Sequence, residues 1–110
     1  MITGIVLLLA GALIVVMAIM AGIGKLGMNP LVGIRVAPLM RSEEAWRIGH
    51  KAGAPALIVA GAGAMIGGIA CFFISSDDTV GIVALVSAAW LIAFTLGASL
   101  VAVRAVKSVR

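Results

Sequence analysis

Most of the side chains able to do chemistry fall in one stretch, "NPLVGIRVAPLMRSEEAWRIGHK", from Asn29 to Lys51. The single histidine, His50, is the natural candidate for a general base, with Glu43 seven residues earlier and Ser42 the nearest hydroxyl. That constellation lacks a nucleophile. Ser42 stands where its oxygen can cap a helix by accepting a first-turn N–H, and Glu43 and Glu44 follow where the helix dipole favours negative charge. A general base must also lie within hydrogen-bond reach of the proton it takes, and no other group in the stretch offers one. The residues point to a polar cap that binds, not to an enzyme.

Arg35 is the most suggestive cation. It follows Gly33, lies between Pro30 and Pro38, and can turn back toward the helix that Ser42 starts. The expectation is an ion pair from Arg35 to Glu43 or Glu44 that clasps the segment. Asn29 and Pro30 should end the preceding helix, because proline cannot continue the hydrogen-bonded ladder. In "SEEAWRIGHKA", Glu43, Arg47 and Lys51 recur every four residues as a charged stripe. Trp46 and His50 form a second stripe, which suits a short amphipathic helix lying at a bilayer interface. Pro55 then predicts a kink or a helix restart before the next apolar run.

The elements that must hold this segment are unusually apolar. Of 110 residues, 64% are hydrophobic and 11% charged, with a mean hydropathy of +1.30, so a soluble domain would have no polar surface to wear. Three runs, 2–24, 53–74 and 80–103, contain no Lys, Arg, Asp or Glu. Each reaches the roughly 20 residues needed to cross a hydrocarbon layer of about 30 Å. The expected fold is an all-α integral membrane protein of one domain over 1–110: three transmembrane helices plus the interfacial helix, with a polar connection over 25–52. The first run has no basic residue ahead of it, so it reads as a retained span rather than a signal peptide.

Lys25, Arg35, Arg41, Arg47 and Lys51 lie in the first connection and Arg104, Lys107 and Arg110 in the tail, which accounts for every basic residue. The second connection carries only Asp77 and Asp78. The positive-inside rule therefore predicts that the long connection and C-terminus are cytoplasmic and the N-terminus lies outside. The net charge of +4 is spread along membrane boundaries, with no soluble domain to form a nucleic-acid groove, so anionic headgroups are the expected partner. Cys71 has no second ligand at metal-binding spacing, and no cofactor is expected.

Small residues should bring the spans together, since lipid tails are as apolar as leucine and close backbone approach is what remains to drive association. Gly63 and Gly67 have GxxxG spacing, with Ala60, Ala64 and Gly68 beside them; Ala84 and Ala88, then Thr95 and Ser99, answer on the third span. These rows are expected to face each other or a neighbouring subunit, in an antiparallel hairpin closed by the short turn at 75–79. Trp90 is too deep for an interfacial belt and should be a packing or subunit-facing residue. With no ionisable group inside a span other than Cys71, a proton-coupled transporter is disfavoured.

Asn29 and Pro30, "GIR" at Gly33 to Arg35, "SEEAW" at Ser42 to Trp46 and the pair His50 and Lys51 together resemble the SdpI family. These are bacterial membrane proteins named for immunity to a secreted sporulation-delaying toxin. Val36 and Leu39 stand in regions where members often carry threonine, and His50 and Lys51 where they usually carry Asn-Arg. The resemblance implies a three-span protein of a bacterial plasma membrane that protects against a peptide toxin and in some members sequesters a regulator. The partner would then be another membrane protein or a peptide. An accessory subunit of a larger membrane complex, or a homo-oligomer, is the alternative that the residues themselves allow.

Overall fold

The computed structural model describes residues 1–28 and 33–108. It contains three long helices, α1 (Ile2–Gly22), α2 (Glu43–Cys71) and α3 (Asp77–Ala105), with a 3-10 turn at Ala37–Met40 in the first connection. All three helices are long and apolar enough to cross a membrane. The described residues include no strand, and the molecule is a rod of 51 × 20 × 20 Å. It is an all-helical membrane protein.

Local signals explain where the helices begin. Ser42 Oγ accepts the N–H of Ala45 at 3.1 Å, with Glu43 and Glu44 in the first turn of α2. Ser76 Oγ accepts the N–H of Thr79 at 3.4 Å, with Asp77 and Asp78 in the first turn of α3. In both cases an orphan donor is satisfied and carboxylates sit at the positive end of the helix dipole. α1 gives way at Gly24, whose φ of +76° a residue with a side chain rarely adopts.

α2 is the middle of the molecule. It packs along both α1 and α3, which barely touch each other, and runs antiparallel to each. On the α1 side the backbones meet through glycine: a Cβ on Gly4 would lie 2.9 Å from the Gly68 carbonyl oxygen, and a Cβ on Gly61 would lie 2.7 Å from that of Gly11. On the α3 side, a Cβ on Gly53 would lie 3.0 Å from the Ala98 carbonyl oxygen, and one on Gly67 would run into the Ser87 side chain. Gly63 lies under the Trp90 indole.

Two expectations about α2 change. Among the described residues no separate interfacial helix forms: the turns carrying Trp46 and His50 are the first turns of α2, and both side chains are buried in protein rather than laid on lipid. Nor does the helix restart at Pro55, since α2 is continuous from Glu43 to Cys71. The proline removes one backbone bond, to the carbonyl of Lys51, and the helix runs on through it.

Candidate functional site

The ends of α1, α2 and α3 that converge at one pole of the rod are covered by the first connection. This cap has a core of its own, in which Leu26, Ile34, Leu39, Trp46, His50 and Val106 are all buried. The 3-10 turn lays Leu39 against Gly49, where even a Cβ would come within 2.6 Å of the leucine side chain.

At its centre lie two stacked rings. Trp46 and His50, each 1% exposed, are one turn apart on α2 with ring centroids 4.2 Å apart and planes at 31°. Trp46 Nε1–H donates to the carbonyl of Leu26 at 3.0 Å, tying the chain just after α1 to α2. The backbone N–H of Ile34 donates to His50 Nε2 at 2.8 Å. Since a backbone N–H can only donate, Nε2 must be the bare nitrogen. The proton therefore sits on Nδ1 and is donated to the Trp46 carbonyl at 2.8 Å. His50 lies ahead of the apolar span that begins at Gly53, and burial lowers its pKa below the ordinary value, outweighing the bond to Trp46 that raises it. It is held as the neutral ring.

Gly33 makes this arrangement possible. Its φ is +116°, and a Cβ there would lie 2.7 Å from His50 Nε2 and 2.8 Å from Trp46 Cζ2. The chain passes over the two rings closely enough for Ile34 to reach the imidazole. A further tie comes from Arg41, which donates through Nε to the Pro38 carbonyl at 3.1 Å and through Nη2 to the Val106 carbonyl at 2.9 Å. Val106 caps α3, so this guanidinium joins the connection to the C-terminal end of the third helix. It satisfies carbonyls that a helix leaves free at its end.

Gly33, Trp46 and His50, three of the residues singled out by type and spacing, are thus brought into direct contact. Ser42 and Glu43 to Glu44 form the helix start beside them, and Arg35 is exposed on the rim. Asn29 and Pro30 lie outside the described residues. Arg41, Leu26 and Leu39 were missed by sequence reasoning: the first two act through backbone carbonyls and the third through apolar contact. In the spans, Gly63 and Gly67 do face α3, but the residues against them are Trp90 and Ser87. Ala84 is half-buried and Ala88 exposed.

The SdpI/YfhL protein family matches residues 25–103. The chain belongs to this family. The match begins at Lys25, directly after α1, and takes in the cap, all of α2 and nearly all of α3. In general terms, this SdpI-family chain is a toxin-immunity-like, multi-pass membrane protein. No curated protein and no solved structure matches it.

Proposed function

We propose that this SdpI-family protein acts by binding another membrane protein or a peptide in a bacterial plasma membrane, with the cap and C-terminus in the cytoplasm and the N-terminus outside. The observation that carries the reading is His50. Its two ring nitrogens are both committed to backbone groups, Ile34 N–H and the Trp46 carbonyl, so the one candidate base serves as a structural strut. The surface that the cap leaves outward is cationic, with Lys25, Arg35, Arg47 and Lys51 exposed around its rim. That rim suits anionic headgroups and an acidic or carbonyl-rich partner surface.

The test is protection. Deleting the gene in its host should sensitise cells to a membrane-active peptide toxin, and the wild-type gene should restore resistance. Arg35→Lys separates recognition from topology: it keeps the charge and loses the planar fork. Loss of protection at wild-type membrane abundance is the expected result, and full protection would reduce Arg35 to a topology charge. Gentle-detergent purification with mass spectrometry tests the alternative, since a larger membrane protein recovered in stoichiometric amount would make this chain an accessory subunit.

A further inference from the structure

Where the chain leaves α1 and passes the first turns of α2, the cap holds a small polar recess of about 120 Å³. Gly24, Gly27 and Met28 line it from the α1 side, and Glu43, Trp46 and Arg47 from α2. It is well below the roughly 300–1,000 Å³ of pockets that enclose a whole small molecule. Its size suits one small polar group.

Two charges line the recess and a third reaches its edge. Glu43, Arg47 and Lys51 recur every four residues and so share one face of α2. The two cations converge on the break in α1: a Cβ on Gly24 would lie 3.1 Å from Lys51 Cε, 3.6 Å from its Nζ and 3.9 Å from Arg47 Cδ. Spacing alone would pair Glu43 with Arg47. Among the described residues, none of the three side chains makes an ion pair or a hydrogen bond. An exposed charge is content in water, so the absence of a partner is not itself a signal. The order and depth of the charges are.

Gly24 ends the apolar run 2–24, and Lys51 stands two residues ahead of the run 53–74. Their contact therefore marks the edge of the hydrocarbon. At 1.5 Å per residue, Arg47 stands about 6 Å beyond that edge and Glu43 about 12 Å. The headgroup region adds roughly 5–8 Å to each side of the hydrocarbon layer, so Arg47 is at headgroup depth and Glu43 at its outer margin. From the acyl chains outward the order is ammonium, guanidinium, carboxylate. A phosphodiester lies just above the chains, where Lys51 and Arg47 can give it charge-assisted bonds. A headgroup that ended there, or carried only hydroxyls, would leave Glu43 facing a like charge. A terminal primary ammonium gives Glu43 a cation with N–H donors. A quaternary ammonium has no N–H, and the recess offers one indole where such groups are held by an aromatic cage.

We propose that the recess between the end of α1 and the start of α2 is a headgroup site for a phospholipid bearing a primary ammonium, with Lys51 and Arg47 on the phosphodiester and Glu43 on the ammonium. This goes beyond the attraction of a cationic rim for anionic lipid, because the carboxylate selects against net negative charge. It holds on whichever side of the membrane the cap lies and whatever protein or peptide the chain binds.

Trp46 lines the recess and is a built-in reporter. The full chain carrying Trp90→Phe, which leaves Trp46 as its one tryptophan, is held in mild detergent and titrated with phosphatidylethanolamine, phosphatidylglycerol or phosphatidylcholine of identical acyl chains. A saturable change in Trp46 emission is expected, with the ethanolamine lipid roughly threefold tighter than either of the others, within the range of one exposed ion pair. Native mass spectrometry of the unsubstituted chain should rank the three lipids in the same order. Glu43→Gln should erase the preference. Glu44→Gln removes the other carboxylate of the same helical turn, which does not line the recess, and should keep it. Arg47→Gln should weaken all three lipids by similar factors, since all three carry the phosphodiester. Circular dichroism should show the same helix content throughout.

Unsaturable changes, equal affinity for the three lipids, or tighter binding of phosphatidylglycerol would overturn the proposal and leave a rim that reads net charge alone. Equal affinity for the ethanolamine and choline lipids would show that the N–H donors are not read, and would overturn the primary-ammonium assignment. Loss of the preference in Glu44→Gln as well would reduce Glu43 to a helix-start charge. Glycerophosphoethanolamine supplies the same headgroup without acyl chains and should bind far more weakly than the lipid. If it bound as tightly, the recess would belong to a soluble phosphodiester and the lipid assignment would fall.

Discussion

Gly33 meets two constraints that a side chain would violate together. Its φ of +116° is a conformation that L-residues avoid, and the space where a Cβ would project is filled by the Trp46 and His50 rings. Gly33→Ala should therefore destabilise the protein by about 1–3 kcal/mol, measured by denaturant unfolding in mild detergent. Gly81→Ala, where nothing lies within 4 Å, should cost nothing. His50 gives a pH signature. Its folded pKa is lowered by burial, so below about pH 6.5 the unfolded chain takes up a proton that the folded chain refuses. Stability should be level above that pH, fall as the pH drops toward the folded value, and level off again below it. His50→Gln, which can still accept from Ile34 N–H, should flatten the profile between pH 7.5 and 5; an unchanged profile would place the proton uptake elsewhere. At this scale the sequence was only half informative. Ser42 as a cap could be read from the two acids after it. The reason for Gly33 could not, because its partners lie far along the chain and four of the cap's bonds end on backbone carbonyls, which no residue type announces.

The helices show the same division. Their number and length follow from uninterrupted apolar runs, and the α2–α3 contact through Gly63 and Gly67 follows from GxxxG spacing. The α1–α2 contact has a different period. Gly4 and Gly11 are seven residues apart, as are Gly61 and Gly68, and the two pairs meet in antiparallel register. Buried Ala18 and Ala54 continue the spacing toward the cap. A seven-residue repeat keeps one seam in contact along two helices that coil gently around each other. The signal was present in the sequence, but a repeat of small residues spread over a whole span is easily lost among 14 glycines. It predicts a sharp positional contrast. Gly11→Val must push apart two backbones already in contact and should cost on the order of 1–3 kcal/mol by overpacking. Gly97→Ala, on α3 with nothing within 4 Å, should be neutral or raise stability by up to about 1 kcal/mol through helix propensity. Unfolding by graded SDS addition would measure both, and equal effects would deny that the glycines form a seam.

For the whole molecule, the antiparallel order brings the end of α1, the start of α2 and the end of α3 to one pole, and the charges sort accordingly. Lys25, Arg35, Arg41, Arg47, Lys51, Arg104 and Lys107 are all exposed at the cap end, whereas the opposite turn offers Asp77 and Asp78. Arg41 does more than mark a side: it spans from the Pro38 carbonyl to the Val106 carbonyl and so ties the cap to the far helix. Topology and cap integrity should therefore separate experimentally. In a Cys71→Ala background, a cysteine placed at Ser75 should react with an impermeant maleimide added outside intact cells, and one placed at Ser108 only after the cells are opened. Arg41→Gln should leave that labelling pattern unchanged, because six exposed cations still hold the cap end inside. It should nevertheless speed hydrogen exchange across Ala37–Met40, since the 3-10 turn loses its tie to α3 and opens locally at lower cost. If Arg41→Gln inverted the labelling instead, the molecule would be balanced on a single charge rather than on the set. If neither labelling nor exchange moved, the bond to Val106 would contribute nothing to holding the cap.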